Sequence, residues 1–422
     1  MGELLEPIII DTGSFSTVVG SGNETTDQKE FPTIVGRFKK LNMMAGMGRK
    51  DTYVGKEAQL KRGILIMKQP YLNGKVHNWD DIEMVWQHAF KSKLKMVPEE
   101  HPVALTDNTF TSKKHRQQTT QIMFETFNVP CLYIGNSAAM SLYNSDLTTG
   151  LVLEMGEDRN CVVPIYQMSC MHHYAKVSGV GGSFLTAHLL QILSSLGFNL
   201  RSPEEKETVR EIKEKFGIVF PQTNKSKNKE LNESDLNLQS NRVNKETVNT
   251  KNLSQEKKRT VNYKLPDGQI LDLSERVFFV TIPLFDPKLV KVGIDFLQLT
   301  YKTSDFPEPK INPEYYEKGI HELTFETIKS LPEELQNIMF QNIVLSGGNS
   351  MFKGLQQRLI NELDSFFAEN KPKIEVIAPQ SRQYSSFNGC KKFSKLNNFS
   401  DYCIHLKEYE EFGPILSIRK FC

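Results

Sequence analysis

The sequence lacks most of the features that sort a protein quickly. Its six cysteines, Cys131, Cys161, Cys170, Cys390, Cys403 and Cys422, contain no C-x-x-C pair, so neither a disulfide framework nor a zinc ribbon is written in their spacing. The opening MGELLEPIII has neither the charged nor the apolar region of a secretory signal, and a reducing intracellular compartment is expected. Gly2 is not followed by Ser or Thr at position 6, where Glu6 stands, which excludes the myristoylation motif. The apolar stretch Val277 to Phe285, VFFVTIPLF, is nine residues long and carries a Thr and a Pro, against the roughly 20 that cross a bilayer. It is expected to be a core strand or loop, with no membrane insertion.

An excess of one charge is missing too. Fifty-two basic against fifty acidic side chains leave a formal charge of +2, so no global field recommends nucleic acid or a membrane as partner. The local runs Lys113-Lys114-His115-Arg116 and Lys257-Lys258-Arg259 read as solvated surface, and His172-His173, without acidic or Cys neighbours, as a structural pair.

What is present is a chain of 422 residues, 39% hydrophobic and 24% charged, large enough to divide into two cores of unequal size. Pro221 to Thr260 is rich in Asn, Lys and Glu and has no aromatic residue. It buries too little apolar surface to offset its ordering entropy and reads as a disordered surface insertion, the alternative being a basic tail on Lys257, Lys258 and Arg259. Ser304 to Tyr316, with three prolines, reads as a second, better ordered loop.

Regular elements lie between. SPEEKETVREIKEKFG predicts a helix with Ser202 as N-cap, Pro203 at the first position, Glu205 closing a capping box and Gly217 past the end. The spacing of Ile82, Val85, Trp86, Ala89, Phe90 and Leu94 predicts a helix over Asp80 to Leu94, and a second apolar helix is expected over Phe184 to Leu196, entered through Val180-Gly181-Gly182. IIIDTGSFSTVVG, residues 8 to 20, reads as strand, tight turn and strand, with Asp11 before the turn. LVLEMGEDRNCVVPI, residues 151 to 165, repeats that pattern. Short turns poor in side chains let backbone N–H groups close around an anion, yet the first turn carries Phe15, and no Lys or Arg lies between Asp11 and Gly20. A third strand in NIVLSGGNSMFKG ends in paired glycines and passes into an amphipathic helix, Leu355 to Phe366. Two like hairpins suggest a duplicated α/β architecture with a cleft between its halves.

FPTIVGR (31–37), GMGRKDTYVGKEAQLKRGIL (46–65), NWDDIE (78–83), PEEHPV (98–103), TQIMFETFNVP (120–130), REIKEKF (210–216), LPDGQ (265–269), VLSGGNSMF (344–352) and the closing FGPILSIRKFC make the chain similar to actin and the actin-related proteins, collinearly and over nearly its whole length. The resemblance implies an α/β, duplicated actin-type (ribonuclease H-like) fold: two large domains, each with a small subdomain, around a nucleotide cleft. Residues 1–145 with 385–422 would form the first domain, its small subdomain at about 33–70. Residues 146–384 would form the second, carrying the 221–260 insertion and an extended loop at 286–318.

It also implies ATP or ADP with Mg as cofactor. The hairpins become phosphate loops, with Asp11, Gly13, Ser14, Gly156 and Glu157 at the phosphates. Gly182 approaches the sugar. Arg210, Lys213 and Glu214, neighbours on one helical face, line the adenosine side, and Gly347, Gly348, Met351 and Phe352 form the adenine floor. Asp11 and Glu154 would hold the metal through water.

The departures fall where the chemistry should be. The family typically has Gly at Phe15 and a phosphate-binding Lys at Val18, and the lost charge-assisted contact is worth about 1.5–3 kcal/mol. The second turn reads Glu154-Met155-Gly156-Glu157-Asp158 instead of Asp-Ser-Gly-Asp-Gly, with Arg159 beside it as a partial offset. Ser137 and Cys161 stand where a Gln and a His position the attacking water and relay its proton. Gln383 replaces a Lys near the base, and Asn73 a His that many actins methylate. Little or no hydrolysis is expected, with nucleotide held chiefly from the adenosine side.

The loop Phe38 to Gly55 matches the one that actin inserts into the next subunit, but Phe285 to Gly319 is longer than the family's and would disturb cross-strand contacts. The expectation is a divergent actin-like structural or adaptor subunit, a monomer or part of a mixed assembly. Its partners would be proteins of a cytoskeletal, vesicle-transport or nuclear complex, actin itself among the candidates. The alternatives are a filament-forming, ATP-hydrolysing actin, a nuclear subunit of a chromatin-remodelling complex, and a small-molecule kinase on the same fold, for which no base motif or lid speaks.

Overall fold

Ile8, Ile9 and Ile10 are fully buried in the centre of a sheet covered on both faces, which is why this strand reads as a continuous apolar run and not as an alternating one. The computed structural model describes residues 5–23, 28–38, 51–198, 200, 202–220, 262–265, 268, 270–273, 277–290, 316–368 and 371–421. The 221–260 insertion, residues 291–315 of the extended loop and residues 39–50 of the expected intersubunit loop lie outside them.

The first sheet contains β1 (Ile8–Thr12), β2 (Ser16–Ser21), β3 (Lys29–Pro32), β4 (Val103–Asp107) and β5 (Cys131–Asn136), with Ile404–His405 beyond β5. β2 runs antiparallel to β1, while β4 is parallel to β1 and β5 parallel to β4. The second sheet repeats this plan with β6 (Gly150–Met155), β7 (Asn160–Tyr166), β8 (Ser169–Cys170), β9 (Lys176–Ser178), β10 (Ile343–Ser346) and β11 (Val376–Ile377). β7 is antiparallel to β6, β10 parallel to β6 and β11 parallel to β10. The duplication extends to the turns: Gly13 N donates to Ser16 O at 3.0 Å and Gly156 N to Arg159 O at 3.0 Å. A small three-stranded sheet of Thr52–Val54, Val35–Phe38 and Leu65–Lys68 carries the helix Lys56–Leu60 over a core of Tyr53, Ala58 and Leu65.

Two helices join the halves. α1 (Ser137–Asn144) leads from β5 toward β6, and Asn136 caps it by accepting from the amides of Ala138 and Ala139. The helices α2 (Gly182–Ser195) and α3 (Pro203–Phe216) cover the second half, and α4 (Ser385–Phe393) returns the chain to the first. α3 has the capping box read from sequence: Ser202 Oγ accepts from Glu205 N at 3.2 Å, and Ser202 N donates to Glu205 Oε2 at 2.7 Å.

Several expected boundaries change. The helix placed over Asp80 to Leu94 is an α-helix Trp79–His88 that widens into a π-helix, Ala89–Leu94, keeping Phe90 buried before the chain turns out at left-handed Lys95. Val277–Leu284 is a 3-10 helix, not a strand or loop; Val280 and Leu284 are buried without a strand partner, and Pro283 offers no amide to a ladder. The helix after Gly354 ends at Asp364, short of Phe366, and the one expected from Phe184 starts at Gly182.

α1 and α4 cross so closely that a Cβ on Gly389 would overlap the Met140 carbonyl oxygen. Backbone cannot yield there as a flexible side chain would. Gly389→Ala is expected to destabilise the chain by about 1–3 kcal/mol, read as a lower urea midpoint with an unchanged slope.

Candidate functional site

The two hairpin turns lie on facing sides of the cleft between the sheets. Their first amides are spent inside the turns, on Ser16 O and Arg159 O. The next two of each turn, at Ser14 and Phe15 and at Glu157 and Asp158, have no hydrogen-bond acceptor among the described residues. Successive unpaired N–H groups in a tight turn suit an anion, so the backbone of both turns fits a phosphate. The side chains fit it less well. Val18 is buried in β2, and Glu157 and Asp158 bring negative charge to the second turn.

Below the turns, Asp11 accepts from Thr106 Oγ1 at 2.6 Å, and desolvation lifts its carboxyl above the usual range despite that bond. Glu154, at the end of β6, is pushed up to about 7 by burial, with the Ser137 hydroxyl and Arg159 opposing the rise and the Asp11 charge adding to it. Its Oε2 is buried and unpartnered. Two repelling carboxyls, one with an orphaned oxygen, suit a cation or a proton. Among the described residues no group of three or more metal-ligating side chains accompanies them, so these two carboxyls would hold Mg largely through water. Cys161 pairs with Glu154 across β6 and β7, is 2% exposed, and its thiol is pushed up to about 12 by burial.

The α3 residues are placed differently from one another. Lys213 is 1% exposed and donates to Gly182 O at 2.8 Å; desolvation lowers its proton affinity, and Glu157 opposes this. Its charge is therefore spent at the joint between α2 and the second turn. Arg210 is held by Glu207, with Nε to Oε2 at 3.1 Å, and by Glu214 at 2.5 Å. Gly182 N and Ser183 N donate to the carbonyls of Gly156 and Glu157 at 3.0 and 2.8 Å, so the second turn closes the N-terminus of α2. A Cβ on Gly181 would overlap the Glu157–Arg159 backbone, and one on Gly182 the Glu157 carboxylate. Gly181 is thus required by backbone packing, whereas a side chain at position 182 would have only the Glu157 and Asn349 side chains to displace. Gly347, at φ 89°, lies against the Met155 backbone, Gly348 faces open space, Met351 is half-buried and Phe352 sits in the core of the second half, close over Gly217.

Four contacts across the cleft escape sequence reading. The Arg210 guanidinium lies 4.5 Å from the centre of the Phe15 ring, a cation–π pair worth about 0.5–2 kcal/mol. Gln59 Nε2, on the small subdomain, donates to Glu207 Oε1 at 2.9 Å. Asn73, in a left-handed conformation, donates its amide to Asp158 Oδ2 at 2.7 Å, with the Ser14 hydroxyl alongside. Arg159 leaves its own turn, bonds Asn108 and packs over Gly74. The available signal was the pair of substitutions at Phe15 and Asp158, each adding a side chain where the similar family has glycine.

Asp158 is pushed up from 3.8 to about 6 by burial, with Glu157 adding to the rise and Ser14, Asn73 and Arg159 opposing it. The folded chain therefore holds this proton more tightly than the unfolded one, and stability should fall as pH rises from about 4 through about 6. Asp158→Asn is expected to flatten that part of the profile, as urea midpoints of both proteins measured across it will reveal.

Both sheets, with their matching turns and the joining helices, form one duplicated α/β framework whose hairpins meet across a cleft. The actin family model matches residues 2–422, and the chain belongs to the actin family.

Proposed function

We propose that this chain is a divergent actin-family protein that serves as a nucleotide-binding structural or adaptor subunit with little or no ATP hydrolysis. The observation that carries the reading is the pair Ser137, whose hydroxyl bonds Glu154, and Cys161, the partner of Glu154 across β6 and β7. Hydrolysis requires a water held in line and a group to take its proton. Ser137 is short, and Cys161, with a thiol pushed up to about 12, stays protonated at neutral pH and accepts no proton. Glu154, near 7, is the acceptor to which any residual turnover would fall.

A nucleotide would be held by the backbone of both turns, by Asp11 and Glu154 through Mg, and by the edges of α3 and of the 347–352 segment. When bound, it would supply a phosphate chain for the unpaired turn amides. With slow turnover such a site acts as a ligand of the fold, adding stability by linkage and not cycling between states. The assembly served would be cytoskeletal, vesicle-transport or nuclear, and its partners would be proteins. No helix among the described residues is long and apolar enough to cross a membrane.

Two measurements test this. Mg-ATP should raise the melting temperature, since a ligand at about 100 times its Kd adds about 2.7 kcal/mol; no shift at saturating nucleotide would remove the nucleotide from the proposal. Phosphate release should be close to background in the wild type and rise in the double variant Ser137→Gln, Cys161→His. A wild-type rate equal to that of a filament-forming actin would overturn the adaptor reading.

A further inference from the structure

Closing a two-domain cleft normally needs something in it, because two facing surfaces gain little by approaching unless groups on both find partners. Here they find each other. At the turns, Asp158 from the second hairpin reaches the Asn73 amide of the first half at 2.7 Å. Along α3, Arg210 from the second half stacks on Phe15 of the first hairpin at 4.5 Å. At the small subdomain, Gln59 meets Glu207 at 2.9 Å. Glu207 and Glu214 both hold Arg210, which fixes the guanidinium for the ring and joins the second and third contacts through one carboxylate.

We infer that the cleft latches on itself, and that Phe15 and Asp158 determine how readily it admits a nucleotide. The Asp158 carboxylate supplies an anion to the first half's backbone, and the Phe15 ring spans from the first turn to α3. A phosphate chain between the turns and a nucleoside along α3 would have to displace both. The protein then holds the closed form, the form an adaptor presents to a partner, whether or not nucleotide is present. Entry of nucleotide is limited to the fraction of molecules in which the latch has opened. The competition between latch and ligand rests on the nucleotide reading above; the latch itself does not.

The experiment therefore has two arms on the full chain. In the first, amide hydrogen exchange is measured without nucleotide on the wild type, Phe15→Gly and Arg210→Met, the last retaining length but not charge. Exchange over residues 13–16, 73–74 and 156–159 should quicken in both variants while that of β4 and β10 stays unchanged. Unaltered exchange at the turns would overturn the latch, and a general rise including the central strands would assign Phe15 and Arg210 to stability alone and overturn it equally. In the second, Mg-ATP is titrated calorimetrically into the wild type and into Phe15→Gly with Asp158→Gly. The variant should bind at least about tenfold more tightly, as expected when the binding-competent fraction rises. Equal affinities would overturn the competition, and binding by neither would remove the nucleotide reading and the competition with it, while the exchange data still uphold or overturn the latch.

Discussion

The close crossing of α1 and α4 governs this molecule, because every contact in the cleft depends on how the two halves are set over that joint. Gly389 lets the two backbones touch at Met140, and the neighbouring hydroxyls of Ser141 and Ser346, 2.9 Å apart, tie α1 to β10. From this fixed base the halves extend as two similar sheets whose first hairpins face each other. Small rotations at the joint would become large displacements at the turns, which is where the chain places its cross-cleft contacts.

The electrostatics of the cleft run against its framework. The turn amides suit an anion, but the side chains added around them are acids, and the nearest lysine on α3 is buried at the joint of α2 with the second turn. Asp11, Glu154 and Asp158 all hold their protons more tightly than free carboxylic acids. Burial is the first cause in each case; the Asp11 charge adds to it at Glu154 and the Glu157 charge at Asp158. Such a cleft offers donor geometry suited to an anion but little attraction for one, and Asp158 pairs with backbone of the opposite half.

Much of the fold was legible because its signals are local. The capping box of α3 depends on residues within one helical turn, and the two hairpins repeat a pattern short enough to compare by eye. The long collinear matches pointed to the family before any contact was known, and the replacements at Phe15, Val18, Ser137, Asp158 and Cys161 were visible as departures from it. Less local features were misjudged: Val277–Leu284 has the composition of a strand but no neighbouring strand to pair with among the described residues, and the π-helical turn at Ala89–Leu94 has no signature separate from that of an α-helix.

The sequence by itself determined the duplicated framework and the position of both turns, since each is set by residue identity at one place in the chain. Only the tertiary structure decided what the replacement side chains touch. Phe15 and Arg210, Gln59 and Glu207, and Asn73 and Asp158 are far apart in sequence and come within bonding distance because the joint of α1 and α4 brings the halves together. The packing demand at Gly181 appears for the same reason: its lack of a side chain lets α2 close on the backbone of the second turn, a requirement that exists only once the two are side by side.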